Sequence, residues 1–129
     1  MAIKYKVIQR GQPGVAGGGE HKFYASANVT GKQSLEDLTE LIELSSTVSG
    51  ADIRAVLYSL VKVMQKSLSN GQVVELGELG SLRVSISSNG EEKAEDVTAN
   101  SIKSAKVVFR PGNDIQTLMK TLKFEKKSE

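Results

Sequence analysis

The chain has 129 residues, 39% hydrophobic and 25% charged, with a formal net charge of +2. That balance belongs to a folded water-soluble domain and gives only weak support for a polyanionic partner. The absence of cysteine removes disulfides, thiolate nucleophiles and cysteine-ligated metals together, and no apolar run approaches the ~18–20 residues that span a bilayer.

The N-terminus interleaves Lys4 and Lys6 with Ile3, Tyr5 and Val7, the period of a strand rather than the apolar centre of a signal peptide. A cytoplasmic protein is therefore expected. Residues 3–8 and 22–29 read as a strand pair joined by the glycine-rich stretch Gly11–Gly19. Ser34 is placed to cap a helix carrying Glu36 and Asp37 in its first turn, where the helix dipole favours negative charge. Leu35, Leu38, Leu41 and Ile42 give that helix one apolar stripe. A second helix starts at Ser49 and ends at Asn70-Gly71. Its wide stripe of Ile53, Val56, Leu57, Leu60, Val61, Met64 and Leu68 is fitted to a core plus a dimer seam.

After Gly71 the period changes to two. Leu82, Val84 and Ile86 face one way, and Ser81, Arg83, Ser85 and Ser87 the other, so the strand has one wet face. Residues 87–104 lose apolar periodicity and read as a mobile polar excursion. A returning strand follows over 105–110, Pro111-Gly112 turns the chain, and Asn113 caps a last helix with Ile115, Leu118, Met119 and Leu122 on one stripe. The tail from Lys123 reads as frayed. Positive charge gathers at the ends of the chain. Residues 1–33 carry Lys4, Lys6, Arg10, Lys22 and Lys32 against Glu20 alone, whereas residues 87–104 carry Glu91, Glu92, Glu95 and Asp96 against two lysines.

Little here speaks for catalysis. His21 is the single histidine and has no triad partners in view. Gly31-Lys32-Gln33-Ser34 lacks the spacing of a phosphate loop, and the carboxylates of 91–96 lack a calcium-loop Asp-Gly pattern. A non-enzymatic protein without cofactor or metal is expected.

The order of elements, with Leu76-Gly77-Glu78-Leu79-Gly80-Ser81-Leu82-Arg83-Val84 after the helical hairpin and Phe109-Arg110-Pro111-Gly112 before the last helix, resembles the HU and integration host factor family of bacterial DNA-bending proteins. The match runs from about Ser34 to about Leu122. The first glycine of the family's Gly-aromatic-Gly signature falls on Glu78 and the aromatic on Leu79, so Gly80 alone is kept. The family's arm is rich in arginine and lysine and carries a wedging proline. The corresponding segment here is acidic and proline-free, which is poorly suited to phosphate contact or intercalation. Ordinary members also begin at the first helix, and an added basic hairpin resembles a divergent branch of the family.

The resemblance implies an α+β, HU-like fold: a helical hairpin, a three-stranded antiparallel sheet with an arm, and a C-terminal helix. The domains would be a basic β-hairpin extension over 1–33, an HU-like core over 34–124 and a disordered tail over 125–129. It implies a homodimer that binds double-stranded DNA at the nucleoid with little sequence preference, through phosphate contacts from Arg83, Lys103, Lys106 and Arg110. Lys4, Lys6 and Lys22, with Arg10 and Lys32, would replace the missing arm charges, although strand lysines also serve to keep an edge strand unpaired. The alternative is an HU-fold dimerisation or scaffold module with little or no DNA affinity.

Overall fold

The computed structural model describes residues 1–128. They form two compact units, one of Ser34–Leu118 and one of Met1–Gln33 with the residues from Met119 onward.

In the larger unit, α1 (Leu35–Ser45) and α2 (Gly50–Ser69) form a helical hairpin. Ser34 closes a reciprocal cap. Its hydroxyl accepts from the Asp37 amide at 3.1 Å, and its own amide donates to Asp37 Oδ2 at 2.9 Å. The Ser49 hydroxyl caps α2 by accepting from the Asp52 amide at 3.3 Å, and Gly71, at φ 79°, ends it in the left-handed region. Thr39 is fully buried in the hairpin and donates its hydroxyl to the Leu35 carbonyl at 2.8 Å. Gly50 passes so close to Glu43 that a Cβ would meet its carboxylate. The Arg54 guanidinium Nε lies 3.1 and 2.9 Å from the two Glu36 carboxylate oxygens. This hydrogen bond, and then the carboxylate's charge, raise the guanidinium's pKa further above its ordinary value.

Strands β3 (Val74–Glu75), β4 (Gly80–Ser88) and β5 (Ile102–Pro111) make an antiparallel sheet in the order β3-β4-β5, followed by α3 (Asn113–Thr121). The register pairs Leu82 with Phe109, Val84 with Val107 and Ile86 with Ala105, giving one apolar face. Among the described residues only Ile53 of the apolar side chains is buried, while Val56, Val61, Val84, Ile86, Val107 and Phe109 all stay exposed. The helical hairpin meets the sheet mainly where α2 reaches β3. The wide stripe expected on α2 is present, but one chain does not cover it.

The excursion expected over 87–104 is shorter and more ordered than its composition suggests. β4 runs on to Ser88, and β5 starts at Ile102. The tip between them closes around Ser101, which is 3% exposed. Its hydroxyl donates to Glu91 Oε1 at 3.1 Å and accepts from the Thr98 amide at 3.2 Å, while its carbonyl accepts from the Asn89 amide at 2.7 Å. Short polar side chains that satisfy backbone groups leave no hydrophobic periodicity to detect.

In the smaller unit, β1 (Ile3–Arg10) and β2 (Lys22–Ala27) form the expected hairpin. The loop between them is hydrogen-bonded, with the Gln12 amide on the Gly18 carbonyl at 2.6 Å. The tail expected to be disordered from residue 125 is instead partly ordered. Residues Phe124–Lys126 form β6, parallel to β1, so that β1 is the middle strand of a β2-β1-β6 sheet. The Ile3 amide donates to the Lys123 carbonyl and the Lys127 amide to the Tyr5 carbonyl, each at 2.8 Å. Lys4 also pairs with Glu125 at 2.9 Å. A charged three-residue strand carries almost no pattern of its own, which is why composition read it as frayed. Glu129 lies outside the described residues.

Candidate nucleic-acid interface

Residues paired across an antiparallel ladder project to the same face, and alternate residues to opposite faces. The polar face of β4–β5 therefore holds the pairs Ser81 with Arg110, Arg83 with Val108, Ser85 with Lys106 and Ser87 with Ser104. Arg83 stands diagonal to both Arg110 and Lys106, at the ~7–8 Å separation of diagonal neighbours. Three cations and four serine hydroxyls thus share one exposed strip, and the strip forms because the apolar residues occupy the other parity. The strand pair turns at Gly80, whose φ of 139° is closed to other residues and whose Cβ would strike the Arg110 carbonyl.

Lys103 does not join the three. The ladder shifts between Ser87 and Ser88, pairing them with Ser104 and Ile102 and leaving Lys103 unpaired in a bulge. At the other end Glu75 pairs with Ser81 on the same face, and Glu75 and Arg110 line one shallow cleft of about 200 Å³. This carboxylate beside Arg110 went unnoticed in the sequence because it depends on β3 pairing to β4. The acidic residues Glu91, Glu92, Glu95 and Asp96 are all at the exposed arm tip.

Lys4, Lys6 and Lys22 belong to the smaller unit. Alternation along β1 and its pairing with β2 put them on one face of the β2-β1-β6 sheet together with Ile8, Arg10, Tyr24 and Ser26. The Arg10 guanidinium lies over the Tyr24 ring, 4.9 Å from its centre. Lys32 lies in the connection that precedes α1, outside any strand. Lys127 belongs to the positive charge gathered at the C-terminal end, and its place beside β1 depends on strand β6, which the sequence does not signal.

A family model described as an HU domain fused to a winged helix-turn-helix, immunoglobulin or glycine-rich motif matches residues 1–126. The chain belongs to this HU-HIG family. The match takes in the N-terminal hairpin and β6 as well as the HU-like elements, so the departure from ordinary HU proteins at the N-terminus is part of the family's own domain. Among solved structures, the chain is similar to a protein from Bacteroides vulgatus described as a candidate bacterial DNA-binding protein. The TM-score is 0.69 at 15% identity, over 99% of this chain and 49% of that one. At this identity the likeness concerns the fold, and the chain spans about half the length of that relative. No curated protein matches the sequence. The α+β, HU-like architecture expected from the order of elements is the one observed, enlarged by the third strand of the N-terminal sheet. No helix among the described residues is long and apolar enough to cross a membrane.

Proposed function

We propose that this HU-HIG domain is a non-enzymatic architectural protein that binds duplex DNA at the nucleoid, as a homodimer and with little sequence preference. The observation that carries this reading is the strip of Arg83, Lys106 and Arg110 on the polar face of β4–β5, interleaved with serine hydroxyls. Cations and hydroxyls in this arrangement suit phosphate oxygens, which position a protein on DNA without reading its bases. The description of the Bacteroides vulgatus relative points the same way. The arm, proline-free and closed around Ser101, has no wedge to drive between base pairs, so binding without intercalation is the mode that fits.

The homodimer rests on exposed surface. Val56 and Val61 on α2 and Val84, Ile86, Val107 and Phe109 on the sheet are exposed apolar side chains that a second copy would cover. One observation favours the alternative of a dimerisation or scaffold module: the larger unit carries twelve acidic residues against eight basic ones.

Fluorescence anisotropy with a random-sequence duplex at two salt concentrations separates the two readings. Salt-sensitive binding that Arg83→Glu weakens supports DNA binding. A stable dimer without duplex affinity at low salt supports the scaffold.

A further inference from the structure

The smaller unit concentrates positive charge. Its residues include nine lysines and arginines against three glutamates, and the larger unit is acidic. The charge is also sorted by face. Ile3, Tyr5 and Val7 on β1 share a face with Phe23, Ala25 and Ala27 on β2 and with Phe124 on β6. The opposite face holds Lys4, Lys6, Arg10, Lys22 and Tyr24. Lys127 joins Lys6 and Lys126 around an open cleft of about 630 Å³, where β6 ends and the edge of β1 is left free.

Only one of these cations is neutralised by a neighbour. Lys4 pairs with Glu125, whereas Lys6, Arg10, Lys22 and Lys127 are exposed and have no carboxylate partner among the described residues. Edge protection accounts for cations on the edge strand β2 and on β1 beyond Tyr5, where β6 no longer pairs with it, but not for the sorting of Lys4, Lys6, Arg10 and Lys22 onto a single face. The face carries Lys4, Lys6, Arg10 and Lys22 against Glu125 alone, a bias that solubility does not require, since mixed charges serve it equally. At the rise of a strand, Lys6 stands about 6.7 Å from Lys4 and about 13 Å from Arg10, so the cations form a line along β1 with Lys22 and Lys127 beside it. A line of like charge with an arginine over an aromatic ring suits a linear polyanion better than a point anion.

We propose that this face is a second duplex-DNA backbone site, formed by Lys6, Arg10, Lys22 and Lys127 and separate from the β4–β5 strip. The proposal rests on the DNA-binding reading above for the identity of its partner. It supplies the cations that the acidic arm lacks, from a sheet that ordinary HU domains do not have.

The test compares two variants of the full chain in anisotropy titrations with one random-sequence duplex across a salt series. The first is Lys6→Gln/Arg10→Gln/Lys22→Gln, and the second is Arg83→Glu/Arg110→Glu. Circular dichroism melts confirm folding. Lys6→Gln/Lys22→Gln/Lys127→Gln, which keeps Arg10 on Tyr24, replaces the first if it fails to fold.

Each phosphate contact contributes about −0.9 to the slope of log affinity against log salt. The first variant is expected to bind about tenfold or more weakly at low salt, with a slope shallower by about 2 to 3 per protomer. Unchanged affinity and slope, with binding lost in the second variant, would overturn the proposal and leave the β4–β5 reading standing. Binding lost in the first variant and kept in the second would overturn the β4–β5 reading instead. A wild-type chain that ignores duplex but binds single-stranded DNA, or vesicles of phosphatidylcholine and phosphatidylserine, through these same lysines would overturn the assigned partner. A wild-type chain that binds none of them would overturn both sites.

Discussion

The Gly112 amide donates to the Leu79 carbonyl at 3.0 Å, tying the end of β5 to the turn that launches β4. The approach is possible only because position 112 has no side chain: a Cβ there would land on the Glu78 carbonyl oxygen. Gly80 faces the same constraint from the other side, against the Arg110 carbonyl. The Arg110 end of the basic strip is thus set by backbone contacts on both strands. Gly112→Ala is expected to lower stability by about 1–3 kcal/mol, the range for forcing an extra carbon into a packed site. Urea unfolding followed by circular dichroism measures it, and a midpoint equal to wild type would contradict the contact.

A second expectation concerns assembly. Leu60 is 38% exposed on a helix whose stripe continues through Val56, Val61 and Met64. If a second copy covers that stripe, Leu60→Asp buries an unpaired carboxylate at the seam. The variant should be unfolded or aggregated at micromolar concentration, and wild type should scatter light as a dimer. The melting temperature of wild type should also rise with protein concentration, because association stabilises only the folded form. A well-folded wild-type monomer at micromolar concentration would end this account.

Long-range charge and local capping gave unequal signals in the sequence. Ser34 and Asp37 lie three residues apart before an apolar stripe, and the cap they form is the one their spacing implies. Leu82, Val84 and Ile86 alternate with Arg83, and pairing to β5 needed only the parity of that pattern. Strand β6 was invisible because Phe124, Glu125 and Lys126 have meaning only beside Ile3, Lys4 and Tyr5, more than a hundred residues away. The Lys103 bulge was equally hidden, since a single register shift leaves no trace in composition. For the same reason Lys103 was grouped with Arg83, Lys106 and Arg110, which a regular ladder would have allowed.

Ser34→Ala removes the hydroxyl that accepts from the Asp37 amide and should cost about 1 kcal/mol, the usual value of such a cap. Thermal unfolding at fixed protein concentration reads the change. DNA affinity at a temperature where both proteins are folded should be unchanged, since Ser34 is on neither basic face.

The arm tip offers a separate test of order. Ser101 holds Glu91, Thr98 and Asn89 through its hydroxyl and carbonyl. Ser101→Ala removes the two hydroxyl bonds and keeps the carbonyl bond to Asn89. Amide exchange at Thr98 should accelerate markedly, with little change at Asn89 and none in α2. Equal acceleration across the whole arm would mean that the tip has no structure of its own.

The last expectation concerns how the β4–β5 strip holds DNA. Arg83 lies diagonal to both Lys106 and Arg110, so reversing its charge places an anion between two cations and repels phosphate from all three. Arg83→Glu should therefore weaken binding to every duplex alike and make the salt dependence shallower. Each lost phosphate contact is worth about 0.9 in slope per protomer. Deleting residues 90–96 removes Glu91, Glu92, Glu95 and Asp96 with a single lysine, and binding should be unchanged or tighter. The two variants measured side by side on duplexes of different sequence decide the matter. Were the deletion to abolish binding while Arg83→Glu left it intact, the arm would be the element that grips DNA, despite its charge, and the strip would be only a solvated sheet face.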